Sequence, residues 1–181
     1  MTLRMPAGPN PAWASHPLRK VPKTSAVEVL ICGSRDRGDD GAPIAAAALL
    51  RGRLDRRASI RTVGQLDIDD LLAISPGAAV VIVDAAVGVH AGQVVTLPIT
   101  GLIGRTDGLR PRSSHALSFP EVVGLAELLR GRPVPGRIVA IGGSQFGLGK
   151  GLSRSVAIAL PRFVDAILEA IDVASDPRQA A

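Results

Sequence analysis

From Val27 onward, short apolar runs of strand length alternate with stretches of helical period, and this alternation restricts the chain to a parallel sheet with helices on both faces. The runs are VEVLI (27–31), SIRTV (59–63), AVVIVDA (79–85), QVVTL (93–97) and RIVAIG (137–142), all rich in β-branched residues. Between them, the spacing predicts a helix from Asp40 to about Arg56, with Ile44, Ala47, Leu50 and Leu54 on one side. A short helix is expected over Ile68 to Ile74 and another over Pro120 to Leu129, the latter preceded by a capping box of Ser118 and Glu121. The last helix begins after Ser153 and carries Pro161, which is expected to kink or split it, because proline lacks an amide donor and clashes with the preceding turn. QVVTLP follows Asp84 after a turn too short for a crossover helix, so it reads as an antiparallel edge strand.

The two ends read differently from this body. Residues 1–26 hold five of the fourteen prolines and no apolar period, and read as a disordered extension; 175–181 read as a disordered tail, leaving one domain over 27–174. The extension has no apolar h-region, so no secretory signal is expected, and its Trp13 and His16 are assigned no chemistry. It also explains most of the formal charge of +5, since Arg4, Arg19, Lys20 and Lys23 stand there without an acid. From Val27 on, 17 basic residues face 16 acidic ones, with no basic stripe and no aromatic platform, which argues against a nucleic-acid reader. The apolar runs are too short for membrane insertion. A lone Cys32 excludes an internal disulfide framework and fits a reducing, cytoplasmic setting.

In open α/β sheets ligands bind beyond the carboxyl ends of the strands, and three segments place polar residues there. CGSRDRGDDGAP follows the first strand and ends in Asp39 and Asp40; Asp84 ends the third strand after five apolar residues; His115 lies in RSSHALSFPE. Two carboxylates and an imidazole would make a three-ligand site with open positions, suited to nickel, zinc or another divalent ion. Each also has a plain structural reading. Asp39 or Asp40 can cap the helix that follows, and Asp84 can cap a turn. His115 and His90 can be loop histidines, and His90 is assigned that role outright.

The glycine-rich IGGSQFGLGKG (141–151) is not a Walker loop, since Lys150 is followed by Gly151. It stands as a possible anion nest for a phosphate-bearing small molecule. The first loop lacks the GxGxxG fingerprint, with only Gly33 and Gly38 before the acidic pair.

In their order and spacing these segments resemble the hydrogenase maturation proteases, endopeptidases that trim the C-terminus of the large subunit of nickel–iron hydrogenases. The resemblance covers about residues 27–172. VLICGSRDRGDDGAP is similar to the family's GxGNxxxxDDGxG loop, with Gly33, Asp39, Asp40 and Gly41 in place. VVIVDAAVG resembles its strand ending in aspartate, SSHALSFPEVVGLAELL its histidine stretch, and GQLDIDDLL and GLS…ALPRFVDAILEAI its remaining pattern. The resemblance implies a three-layer α/β/α sandwich, flavodoxin-like or phosphorylase/hydrolase-like, with a mostly parallel sheet and one antiparallel edge strand. It implies that Asp40, Asp84 and His115 form the metal-facing catalytic site. The implied partner is a nickel-loaded large-subunit precursor, and the nickel belongs as much to this substrate as to the enzyme; another divalent metal held by the protein is the alternative.

The chain departs from the pattern in several places. Ile31 stands at the first glycine and Ser34 at the asparagine, Arg35, Asp36 and Arg37 replace apolar residues, and Gly143-Ser144-Gln145 replaces a Pro-Glu-Ser type segment. A non-catalytic assembly or checkpoint protein for the same large subunit is therefore the second expectation.

Overall fold

The computed structural model describes residues 26–54, 58–102 and 117–176. The sequence extension before Ala26, the tail beyond Asp176 and His115 lie outside these residues. Among the described residues five strands form one sheet: β1 (Val27–Cys32), β2 (Ala58–Gly64), β3 (Ala79–Ala86), β4 (Val94–Pro98) and β5 (Gly136–Gly142). Their order is β2-β1-β3-β5-β4, parallel except that β4 runs antiparallel to β5. All five strands sit on the apolar runs read from the sequence, and β4 is the edge strand expected of QVVTLP. The link over 87–93 is too short to carry a helix across the sheet, so the chain must turn back.

Alternation along the strands sorts the core into two layers. Val27, Val29 and Ile31 of β1, with Val81 and Val83 of β3, pack under helices α1 (Ala42–Leu50) and α4 (Arg154–Ser175). Leu30 and Cys32, with Val80 and Ile82, pack on the other face with Leu71 of α2 (Ile68–Leu72) and Val122, Val123 and Ala126 of α3 (Phe119–Arg130). The molecule is thus a three-layer α/β/α sandwich. Among the described residues no helix is long and apolar enough to cross a membrane.

Three local details differ from expectation. The helix expected from Asp40 opens instead as a 3₁₀ turn over Gly38–Gly41, and α1 proper spans only Ala42–Leu50. Pro43 lies in its first turn, where a missing amide costs no hydrogen bond. Neither Asp39 nor Asp40 caps it; Gly41 holds the cap position without a side-chain bond. Pro161 does not split the last helix, which runs unbroken for 22 residues. Val156 and Ala159 before the proline and Phe163, Val164 and Ile167 after it are buried against the same sheet face, while Pro161 is exposed. Continuous packing outweighs the local cost of the missing donor. The Ser118–Glu121 capping box of α3 forms as expected, with the Ser118 amide and hydroxyl donating to Glu121 Oε2 at 2.6 and 2.7 Å.

Candidate functional site

The strand order reverses at β1: the chain moves outward to β2, then steps back across β1 to β3. In a doubly wound sheet such a reversal leaves a crevice at the carboxyl ends of the two central strands. A cleft of about 450 Å³ opens there, lined by Cys32, Gly33 and Ser34 after β1, Gly64 to Leu66 after β2, and Asp84 and Ala85 at the end of β3. Arg37 and Asp40 complete its wall.

Asp40 reaches the cleft because the loop after β1 folds back on itself. The Ser34 amide donates to Asp40 Oδ2 at 2.9 Å, and the Asp40 amide donates to the Arg37 carbonyl at 3.3 Å. Gly33 makes this approach possible: its φ is +101°, and a Cβ there would collide with the Asp40 carbonyl oxygen. Asp84 is two residues beyond buried Ile82 and so belongs to the α2/α3 side of the sheet, the side of Cys32. Its Oδ1 accepts the Ala85 amide at 2.7 Å. Burial pushes its carboxyl up, the Ala85 amide opposes this, and the charge of Asp40 pushes it further, to about 6. The same surroundings hold the Cys32 thiol far above its ordinary value, chiefly by burial and then by the charge of Asp84. Cys32 is therefore an inert thiol rather than a nucleophile.

Asp39, next in sequence to Asp40, has the opposite fate. It is fully buried, and its carboxylate accepts the Ser144 amide at 2.8 Å, the Gln145 amide at 3.0 Å and the Ser153 amide at 2.6 Å. Its own amide donates to the Gln145 carbonyl at 2.7 Å. Burial alone would raise this carboxyl, but the amides of Ser153, Ser144 and Gln145 together outweigh burial and hold it below the usual range. Ser153 is the residue that caps α4, so Asp39 ties the first loop to the start of the last helix. Two amides of the glycine-rich stretch 141–151 that offered itself as an anion nest are thereby occupied by the protein's own carboxylate. That overturns the phosphate-loop expectation for these donors. Gly38 supports the arrangement, with φ +62° and a hydrogen where a Cβ would strike the Gln145 carbonyl oxygen.

The structure therefore brings Asp40 and Asp84 to one cleft. His115 lies outside the described residues, among which no group of three His, Cys, Asp or Glu side chains is placed to hold a metal. His90 is exposed in the turn before β4 and is not among the residues that line the cleft. The sequence marked Arg35, Asp36 and Arg37 as a charged loop able to read a different precursor surface, but it did not single out Arg37 as the one lining the cleft, nor Asp39 as a clamp. The clamp partners lie more than a hundred residues away, and nothing local announces them.

No family model and no curated protein matches the chain. Solved structures do. The [NiFe] hydrogenase maturation protease HybD from Thermococcus kodakarensis superposes with a TM-score of 0.60 at 21% identity, covering 79% of this chain and 97% of that one. The hydrogenase maturating endopeptidase HybD from E. coli gives 0.66 at 18% identity over 81% and 91%. HycI of Thermococcus kodakarensis, also a [NiFe] hydrogenase maturation protease, gives 0.61 at 20% over 83% and 95%. This chain has the maturation-protease fold. Within that fold the cleft at the β1/β3 crevice, lined by both Asp40 and Asp84, is the feature that invites a chemical reading.

Proposed function

We infer that the protein is an endopeptidase of hydrogenase maturation, removing a C-terminal extension from the nickel-loaded large-subunit precursor of a nickel–iron hydrogenase. The observation that carries this reading is the pair Asp40 and Asp84, held at one cleft of the maturation-protease fold with Asp84 pushed up to about 6. Burial first, and then the charge of Asp40, resists ionisation of Asp84, and a cation joining the pair would relieve that cost. Their oxygen donors suit a divalent ion, with His115 proposed as the third ligand from the sequence resemblance. The ion is assigned to the substrate: the nickel arrives with the precursor.

A metal at such a site polarises a carbonyl and acidifies a bound water. The protein's own residues supply the rest. Asp40, fixed by the Ser34 amide, holds and orients the incoming metal-bearing segment. Whichever of Asp40 and Asp84 is the looser ligand accepts the proton of the attacking water as its oxygen bonds to the scissile carbon. It then returns that proton to the departing amine as the C–N bond breaks. Ala85 keeps the Asp84 carboxylate oriented through its amide.

The test is the intact mass of a nickel-loaded precursor incubated with the protein. A C-terminal peptide should be lost, and Asp40→Ala, Asp84→Ala and His115→Ala should each abolish that loss while leaving the fold intact. Cleavage at the wild-type rate by Asp84→Ala and His115→Ala would defeat the assignment. An unchanged precursor mass alongside a stable complex would instead identify a non-catalytic checkpoint protein. The Gly143-Ser144-Gln145 segment, whose Ser144 and Gln145 amides serve Asp39, favours that second reading.

A further inference from the structure

Arg37 is one of the residues that line the carboxylate cleft, and its backbone is held from both sides. Its amide donates to the Ser34 carbonyl at 3.2 Å and its carbonyl accepts the Asp40 amide at 3.3 Å. On the other side Arg37 forms a parallel bridge with Lys150, where the Gly38 amide donates to the Lys150 carbonyl at 3.1 Å and the Gly149 amide to the Asp36 carbonyl at 2.9 Å. The guanidinium itself is exposed and, among the described residues, makes no hydrogen bond or ion pair, not even with Asp40 or Asp84 in the same cleft. An arginine anchored at its Cα and unpaired at its tip presents a planar fork of donors to whatever enters. The group that matches this fork in shape and charge is a carboxylate.

We propose that Arg37 is a specificity-determining residue that binds a carboxylate of the polypeptide occupying the cleft, either an acidic side chain or the free C-terminus. This rests on the protease reading above. The cleft then presents two acidic groups and, on a backbone anchored at its wall, the unpaired side chain of Arg37. A segment bearing a metal ion followed by a carboxylate is electrostatically complementary to that pattern, and one lacking the carboxylate is discriminated against.

The experiment uses the full-length protein with three nickel-loaded precursors: the native one, one with each Asp and Glu of its extension replaced by Asn or Gln, and one ending in a carboxamide. Dissociation constants and cleavage kinetics are measured for wild type, Arg37→Ala and Arg37→Lys, after thermal unfolding has shown all three folded. Arg37→Ala should weaken binding and raise KM for the native precursor by roughly tenfold to a hundredfold, the range for losing a charge-assisted pair, with kcat within about twofold. Arg37→Lys should recover part of the loss. The penalty should vanish with whichever modified precursor has lost the relevant carboxylate, which identifies its source. Arg37→Ala binding the native precursor as tightly as wild type, or an equal penalty with all three precursors, overturns the proposal. If wild type binds without cutting, the protease reading fails, and the dissociation constants alone decide the role of Arg37.

Discussion

Asp84 shows how a single carboxyl can work against the fold that carries it. Its ordinary value of 3.8 is raised to about 6, so the folded protein holds this proton more tightly than the unfolded chain. Stability therefore falls as the pH climbs from about 4 through about 6 and stays lowered above that window. Asp84→Asn, which cannot ionise, should raise the unfolding free energy at pH 7.5 by about 1–3 kcal/mol, and the gain should disappear near pH 4. Urea denaturation at the two pH values measures this; equal effects at both would show that burial and Asp40 do not penalise the charge. The same variant should lose cleavage, placing Asp84 among residues that trade stability for activity. At this scale the sequence was informative wherever a charge ended an apolar run, as at Asp84, because burying a charge demands a reason. It marked Arg35, Asp36 and Arg37 as a charged run but could not tell Arg37 from its neighbours, because its place depends on a bridge to Lys150 far along the chain.

The elements were easier to read than their ends. All five strands were legible because each is a β-branched run bounded by polar or glycine residues. The first helix was overextended: the four residues Gly38–Gly41 wind as a tighter turn to deliver Asp39 and Asp40, which no hydrophobic period records. A second capping box, in which Asp67 accepts the Asp70 amide at 2.9 Å and Asp70 accepts the Asp67 amide at 3.2 Å, holds the five-residue α2 that periodicity alone barely supports. Pro161 does not split α4. A local rule assigns proline a penalty of about 3 kcal/mol inside a helix, yet the buried stripe of α4 continues through it. That penalty should still be present in the native state. Pro161→Ala is expected to stabilise the protein by about 1–3 kcal/mol, seen as a thermal midpoint higher by several degrees. An unchanged or lower midpoint would show that the proline contributes packing or limits the unfolded chain enough to offset its missing donor.

For the molecule as a whole, alternation of strand and helix sufficed for the layers, and the short β3–β4 link for the antiparallel edge. The order β2-β1-β3-β5-β4, and with it the crevice, follows from handedness and packing rather than from any one segment. What ties the crevice loop to the far end of the chain is Asp39, through the amides of Ser144, Gln145 and Ser153.

That carboxylate amounts to a bound anion on a covalent leash, present at an effective concentration no dissolved salt can rival. The loop it fills should thus ignore phosphate or sulfate in the medium, unlike a loop built to exchange its ligand. Cutting the leash should reverse this. Asp39→Gly is expected to lose roughly 2–4 kcal/mol of stability by orphaning its donors, and formate, but not chloride at equal ionic strength, should return part of the lost unfolding temperature to the variant while leaving wild type unmoved.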